Sequence, residues 1–215
     1  MKKVWMDTAI ITSDDLSYAV EVIKRGGLVA VPTDTVYGLA GNGLDEQAVA
    51  RIYEVKGRPA VKPIILLVSG VEAASELCSE FPDAARVLAE AFWPGSLSLV
   101  LPKSKLVPAI VTAGGDTIGV RCPNHAKTLR LINLAGVPLA APSANPTDLP
   151  SPTSARDVLE YFDGKIECII DGGPCSVGVE STIADMTVQP PRILRHGAIP
   201  EAELLAALAK SSVDI

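Results

Sequence analysis

Short apolar runs alternate with amphipathic helical patterns along this chain of 215 residues. The runs LVAVP (28–32), IILLV (64–68) and LSLVLP (97–102) are typical of buried strands. Between them, apolar residues recur at the helical period of about 3.6 residues. The mixture predicts an α/β or α+β fold, with helices packed outside a sheet. Because the alternation is not a strict βαβ repeat, a plain dinucleotide-binding fold is not expected.

The individual elements follow from periodicity and from the residues that start and stop them. A first helix is predicted over 14–25, with Ser13 as its cap and Gly26-Gly27 at its end. Further helices are predicted at 45–56, 70–79, 82–92, near 106–111, 125–135, 153–161 and 200–209. Further strands are predicted in TIGVR (117–121), VPLAAPSAN (137–145, strand running into loop), IECIID (166–171), STIADMT (181–187) and RILR (192–195). A single domain over 1–215 is the simplest organisation for this length.

Composition excludes several classes of protein. The net charge of -6 lacks the overall positive field with which proteins wrap nucleic acid. No apolar run reaches the roughly 20 residues of a membrane helix. The four cysteines show no zinc or redox spacing, so reduced thiols and a cytoplasmic location are expected.

Common catalytic motifs are also missing. The sequence contains no phosphate-binding G-x-x-x-x-G-K-[ST] loop, no H-E-x-x-H and no G-x-S-x-G. Only two histidines occur, and His125, at a predicted helix start, is interpreted as a capping or surface residue. A histidine-based triad is therefore not expected.

The segment KGRPAVKP (56–63) is a candidate phosphate site. It brings together Lys56, Arg58 and Lys62, and two prolines restrict the chain between them. An arginine fork fits a phosphate with two hydrogen bonds, and a lysine adds a point charge. A solvated surface loop is the alternative, and the residues alone leave the two open.

Polar residues follow several of the predicted strands, where α/β sheets usually bind ligands. Turn formation and surface ion pairs are the alternative explanations for each of them. The candidates are Thr33, Asp34 and Thr35; Thr117, Gly119 and Arg121 on one strand face; Ser143 and Asn145; Ser181 and Thr182; and Arg195.

Taken together, these stretches resemble a known family. PTDTVYGL, KGRPAVKP, FWPGSLSLVL, RCPNHA, APSAN, SPT, DGG and GVESTI occur in this order between about residues 20 and 200. They resemble the YrdC-like domain of the threonylcarbamoyl-AMP synthases. The resemblance implies an open, twisted mixed sheet around a large concave basic cavity. It also implies the short form of the family, without the extra C-terminal domain.

The resemblance further implies a reaction and its participants. L-Threonine, bicarbonate and ATP, with Mg²⁺ expected on the ATP, would give threonylcarbamoyl-AMP and pyrophosphate. The product would reach tRNA, beside the anticodon, through separate threonylcarbamoyl-transfer proteins. No membrane partner is implied, and a homodimer is left open.

Roles for individual residues also come from the resemblance. It implies catalytic signatures at Lys56, Arg58, Ser143 and Asn145. It implies ATP contacts at Arg58, Lys62, Thr117, Ser143, Ser151 and Arg195, and L-threonine contacts at Thr35, Arg121, Ala141 and Ser181.

One departure leaves the amine substrate open. The family usually has a histidine that touches threonine at the position of Leu67. A YrdC-like paralogue with another amine or carbamoyl substrate is therefore an alternative, and a non-catalytic RNA-binding module is a second. The Ser/Pro-rich segment 143–152 is a hypothetical lid over the ligand.

Overall fold

A computed structural model describes residues 7–211. Its centre is a mixed sheet of ten strands, in the order β1-β8-β2-β3-β7-β4-β6-β5-β9-β10. The strands are β1 (Ala9–Ile11), β2 (Val29–Val31), β3 (Gly38–Asn42), β4 (Leu66–Leu67), β5 (Leu97–Pro102), β6 (Thr117–Arg121), β7 (Leu139–Ala140), β8 (Cys168–Ile170), β9 (Thr182–Asp185) and β10 (Arg192–Arg195). The sheet and the helices around it confirm the predicted α/β class.

Seven helices are described outside the sheet. They are α1 (Ser17–Lys24), α2 (Glu46–Lys56), α3 (Val71–Glu76), α4 (Asp83–Phe92), α5 (Ala126–Ala135), α6 (Ala155–Phe162) and α7 (Glu201–Lys210). Among residues 7–211, none of them has the length and apolarity needed to cross a bilayer.

Side chains on the two faces of the sheet pack in two apolar clusters. In β2, Val29 and Val31 pack in the smaller cluster with α1 and α5, whereas Ala30 packs in the larger one. The larger cluster also holds the buried sides of α2, α4, α6 and α7, including the fully buried Phe162. This alternation is the two-residue period of a strand. It explains why LVAVP reads as a continuous apolar run although its residues face opposite sides.

Helix ends agree with local rules at α2 and α6. The Asp45 side chain accepts hydrogen bonds from the Gln47 and Ala48 backbone N–H groups, and Gly57 ends α2 with a φ of 60°. Ser154 and Asp157 form a reciprocal capping box at the start of α6. These termini lie close to the predicted bounds of 45–56 and 153–161.

Several sequence predictions about elements were wrong. Ser13 does not cap α1: the helix begins at Ser17, whose N–H donates to Asp15 Oδ1 (3.0 Å). Residues 106–111 form turns and bends, since Pro108 within the segment cannot donate a backbone hydrogen bond. Within IILLV the strand covers only Leu66–Leu67, although Ile65 O accepts from the Ala141 N–H (3.1 Å) and the Val68 N–H donates to Arg121 O (2.9 Å). Strands β1 and β3 were not predicted. Strand β3 (GLAGN) has glycines where a strand usually has bulky residues.

Candidate functional site

A cavity of about 450 Å³ opens on the sheet between β4, β5, β6, β9 and β10. Its walls come from segments that are far apart in sequence, including the end of the cationic segment and the loops after β2 and β7. Most of the predicted site residues meet there: Thr35, Arg58, Leu67, Thr117, Arg121, Ala141, Ser143, Ser181 and Arg195 line it. Lys56, Lys62, Asn145 and Ser151 lie outside the lining.

Arg121, at the end of β6, has its guanidinium fixed from three sides. Nε donates to Gly95 O (2.8 Å), Nη1 to Thr35 Oγ1 (2.8 Å) and Nη2 to Asp34 Oδ1 (2.7 Å). Burial lowers the pKa of Arg121, and the Asp34 carboxylate opposes that effect. An arginine has five N–H groups, so two remain to bind a ligand.

Asp34 is the centre of this arrangement. Besides Arg121, it accepts from the Asn124 N–H (2.9 Å) and from Ser96 Oγ (2.6 Å). Asp34 and Arg121 are 7% and 6% exposed, so their pair is shielded from water. Sequence analysis identified both residues but not their pairing, because 87 positions separate them.

The Thr33 and Thr35 hydroxyls have different roles. The Thr33 hydroxyl donates to Val36 O (2.7 Å) and accepts from the N–H groups of Thr35 and Val36. It therefore builds the turn, as hydroxyl residues at strand ends usually do. The Thr35 hydroxyl instead contacts Arg121 at the cavity wall.

In the cationic segment 56–63, a left-handed residue, Gly57, separates Lys56 from Arg58. Arg58 then reaches the cavity wall, where Nε donates to Lys62 O (3.1 Å) and Nη2 to Pro63 O (2.7 Å). None of the ion pairs found within residues 7–211 involves Arg58. The Lys62 side chain is exposed.

Lys56 points the other way and is buried, 3% exposed. Its ammonium donates to the backbone carbonyls of Ser143 and Asn145. Burial, with repulsion from Arg58 second, lowers the pKa of Lys56 to about 7. The expectation of Lys56 beside Arg58 in the cavity is corrected by this geometry: Lys56 lies behind the wall and supports it.

Residues 143–145 form that supported wall. Ser143 bridges to Gly38, and the Ala144 N–H donates to Tyr37 O (2.7 Å). The Asn145 amide donates to Leu149 O (2.6 Å), while its Oδ1 is buried without a partner. Asn145 thus shapes the loop, and Ser143 is the member of this pair that faces the cavity.

Arg195 also lines the cavity and is held by its neighbours in the same way as Arg121. Nε donates to Ser181 O (3.0 Å), Nη2 donates to Ser181 Oγ (3.0 Å), and Nη1 pairs with the Glu180 carboxylate. Ser181 Oγ also shares a hydrogen bond with Ser98 Oγ (2.9 Å). Ser151 donates to Glu180 Oε1 (3.0 Å), which places it beside the cavity.

The charges explain the expected basic character only in part. Three arginines line the cavity, but Arg121 is paired with Asp34, and Arg195 with Glu180. Arg58 is the lining arginine without a carboxylate partner. The cavity therefore combines one arginine that forms no direct ion pair with two arginines that are oriented by carboxylates.

Comparisons with known proteins agree on one family. A family model described as "Telomere recombination", for the Sua5/YciO/YrdC domain, matches residues 21–197. The chain is 55% identical over 182 residues to the threonylcarbamoyl-AMP synthase of Pyrococcus abyssi (85% of this chain, 54% of the relative). It is 40% identical over 200 residues to that of Bacillus subtilis (93% and 58%). The chain belongs to the Sua5/YciO/YrdC family.

Solved structures of this family share the fold. P. abyssi Sua5 in complex with L-threonine superimposes with a TM-score of 0.91 at 50% identity, over 93% of this chain and 61% of that one. YciO of Escherichia coli superimposes with a TM-score of 0.81 at 23% identity, over 93% and 99%. The chain spans little more than half the length of the P. abyssi and B. subtilis relatives that it matches.

Among the cavity residues that sequence reasoning about this Sua5/YciO/YrdC member missed, Ser98 and Glu180 matter most for the chemistry. Ser98, fully buried in β5, and Glu180, before β9, both line the cavity. Ser98 lies within an apolar run, so no sequence signal marks it. Glu180 lies within GVEST, where only the hydroxyl residues were considered.

Two further expectations concern His125 and metal ions. The His125 side chain makes no capping hydrogen bond; it is half-buried, its Nδ1 has no partner, and burial lowers its pKa. Within residues 7–211, no group of three or more His, Cys, Asp or Glu side chains could hold a metal ion.

Proposed function

We propose that this chain makes threonylcarbamoyl-AMP and pyrophosphate from L-threonine, bicarbonate and ATP. The observation that carries the proposal is that one cavity contains arginines suited to two kinds of anion. Arg121 offers two N–H groups suited to a carboxylate, while Arg58 and Arg195 offer cations suited to phosphates. Relatives that are 55% and 40% identical bear the name of this enzyme.

In the threonine subsite, Arg121 would bind the carboxylate as a fork, beside the Thr35 hydroxyl. Ser181 and the backbone of Ala141 would contact the rest of the amino acid, since both line the same cavity. The P. abyssi relative was solved in complex with L-threonine, which supports this class of ligand.

In the nucleotide subsite, Arg58 would neutralise the phosphates, because it forms none of the ion pairs found within residues 7–211. Thr117, Ser143 and Arg195 line the same cavity, and Ser151 reaches it through Glu180. Lys62 would contribute only from the exposed rim. Mg²⁺ would enter with ATP and be held by phosphate oxygens.

The chemistry requires positioning more than a protein nucleophile. The neutral threonine amine would attack the carbon of bicarbonate or carbon dioxide to form a carbamate, with water as the by-product from bicarbonate. A carbamate oxygen would then attack the α-phosphorus, and the bond to the pyrophosphate would break. Oriented cations can stabilise that transition state without covalent participation. In this scheme Lys56 and Asn145 position the wall that carries Ser143.

A second candidate is the same adenylating chemistry on another amine. Leu67 on β4 is the direct register partner of Arg121 on β6. Neighbouring strands lie about 4.8 Å apart, so Leu67 would touch whatever amino acid Arg121 holds. An apolar wall at this point favours a methyl-bearing side chain but gives little power to reject similar ones.

The wider setting belongs to the same proposal. Threonylcarbamoyl-AMP would serve the modification of tRNA beside the anticodon through separate transfer proteins. Such work would place the protein in the cytoplasm. Its net charge of -6 is unfavourable for direct binding to the tRNA backbone, which needs many cations.

The test is pyrophosphate release from ATP and bicarbonate, with and without L-threonine. We expect threonine-dependent release of pyrophosphate. In Arg58→Ala, the rate of release should fall about 10²-fold or more, because the cation that stabilises the phosphate during the transfer is removed. Arg156→Ala is the matched control, since Arg156 is an exposed arginine (88%) on α6. ATP binding without threonine-dependent release would reject the synthase; release with a different amino acid would support the second candidate.

A further inference from the structure

Glu180 is a carboxylate inside a cavity that we assign to an anionic ligand. It lines the cavity between the 143–152 segment and β10, and its side chain is 38% exposed. One carboxylate oxygen pairs with Arg195 Nη1, and the other accepts from the Ser151 hydroxyl (3.0 Å). Arg195 and Ser151 are also two of the groups assigned above to ATP.

We propose that Glu180 is an internal counter-anion that competes with phosphate groups for the nucleotide-binding donors Arg195 and Ser151 and so lowers the affinity for those groups. The inference rests on the proposed function, because it takes the phosphate subsite from it. A phosphate oxygen and the Glu180 carboxylate cannot accept the same N–H of Arg195 or the same O–H of Ser151. Each binding event therefore exchanges one anion for another.

The framework around Glu180 suits such an exchange. The Ala198 N–H donates to Glu180 O (3.0 Å), and a side-chain carbon added at Gly197 would lie 2.4 Å from that same carbonyl. The backbone at Glu180 is thus closely packed, whereas its partly exposed side chain can rotate towards water. Arg195 keeps two hydrogen bonds to Ser181 without Glu180. The carboxylate can leave while the guanidinium stays in position.

The charge of Glu180 also reaches the other phosphate-binding cation. Burial lowers the pKa of Arg58 and of Lys56, and the Glu180 carboxylate opposes that lowering in both. Its negative charge is therefore felt across the nucleotide end of the cavity. A triphosphate that replaces it meets the same cations and is repelled by any carboxylate that stays.

Such an anion weakens the binding of substrate and product alike. ATP enters with a triphosphate, and pyrophosphate must leave after the reaction. Phosphate contacts that stabilise bound ATP and bound pyrophosphate equally do not speed the chemical step. A carboxylate that competes with both would favour release of pyrophosphate, at the expense of a higher KM for ATP.

The test compares Glu180→Gln with wild type by calorimetric titration with ATP and, separately, with inorganic pyrophosphate. Glutamine keeps the size of the side chain and removes its charge, so we expect both ligands to bind about three- to tenfold tighter. Glu160→Gln removes an equal charge from an exposed glutamate on α6 and should change neither affinity. In an Arg195→Ala background, Glu180→Gln should give a smaller gain, because competition for Arg195 is absent and only the effects of Glu180 on Ser151 and Arg58 remain.

The outcomes separate this inference from the proposed function. Weaker binding in Glu180→Gln would overturn the inference, because it would show that the carboxylate positions Arg195 instead of competing for it. Unchanged affinity would overturn it as well. If wild-type protein binds pyrophosphate but not ATP, the proposed function fails, and the pyrophosphate series alone decides the role of Glu180. A thermal melt of each variant excludes misfolding as the cause of any difference.

Discussion

At the scale of single residues, carboxylates determine what the arginines can do. Asp34 satisfies one N–H of Arg121 and is itself held by Ser96 and Asn124. Two charges at 6–7% exposure are stable only because they are paired and hydrogen-bonded. The remaining N–H groups of Arg121 are therefore presented in a fixed plane, which is what recognition of a carboxylate requires.

We predict that Asp34→Asn weakens L-threonine binding by tenfold or more and leaves ATP binding nearly unchanged. The neutral amide loses the charge that orients Arg121, and breaking a buried pair costs about 3–5 kcal/mol of stability. Calorimetric titration with each ligand and urea unfolding would measure both effects. Asp185→Asn is the control, because Asp185 is equally buried and paired with Arg192 but lies outside the cavity. Equal losses of both ligands in Asp34→Asn would contradict the assignment.

At the scale of elements, the end of α2 separates two cations that are neighbours in sequence. Lys56 is the last helical residue and supports the wall at 143–145. Gly57 then adopts a φ of 60°, a left-handed conformation that residues with a Cβ reach only with strain. Arg58 emerges on the other side and faces the cavity. The helix terminus thus directs one cation to structure and the other to the ligand.

We predict that Gly57→Ala lowers stability by about 1 kcal/mol and also weakens ATP binding. Gly136 is a matched position, because it ends α5 with a φ of 70°, and at both glycines an added Cβ meets nothing within 4 Å. Gly136→Ala should lose similar stability without a change in ATP affinity. Urea unfolding and ATP titration of the two variants would check this. A normal ATP affinity in Gly57→Ala would show that Arg58 does not depend on the turn.

At the scale of the whole molecule, the cavity joins strands from the middle and one side of the sheet. Its walls include β4, β5, β6, β9 and β10, together with the loops that follow β2 and β7. A ligand that fills it contacts segments from residue 33 to residue 195 at once. Binding is therefore expected to stabilise the fold as a unit.

We predict that ATP and L-threonine together raise the melting temperature. A ligand at 100 times its Kd adds about 2.7 kcal/mol, which corresponds to about 5–10 °C for a chain of this size. Differential scanning fluorimetry with each ligand alone and with both would measure the shift. Arg58→Ala should lose most of the shift caused by ATP and keep the shift caused by L-threonine. An ATP-induced shift that survives Arg58→Ala would place the phosphates elsewhere.

Local patterns predicted much of this molecule. The sheet class, most of the helices and the cationic segment follow from periodicity, end signals and charge. Strand β3 could not be predicted, because its glycines are tolerated only through pairing with β2 and β7. The helix-like spacing of the apolar residues at 106–111 predicts a helix, but the segment forms turns and bends.

Roles within the site were harder to predict than its membership. The family resemblance identified Arg121 and Arg195 as ligand contacts, but nothing in the sequence joins them to Asp34 and Glu180. The sequence predicts Lys56 as a phosphate-binding cation, but in the structure its ammonium donates to two backbone carbonyls. Direction and pairing of side chains depend on contacts between residues far apart in sequence, which a single sequence does not record.

The order of the strands also determines when this sheet can be completed during synthesis. Ala9 pairs with Cys168, and Val29 pairs with the same residue from the other side. At about 5–20 residues per second, a ribosome needs about 8–32 seconds to make the 159 positions (168 − 9) between the first pair. Until then, β1 and the edge of β2 that faces β8 lack this partner in the nascent chain, whereas the other edge of β2 can pair with β3. Pairing of β1 and β2 with β8 therefore waits until most of the described chain has been made.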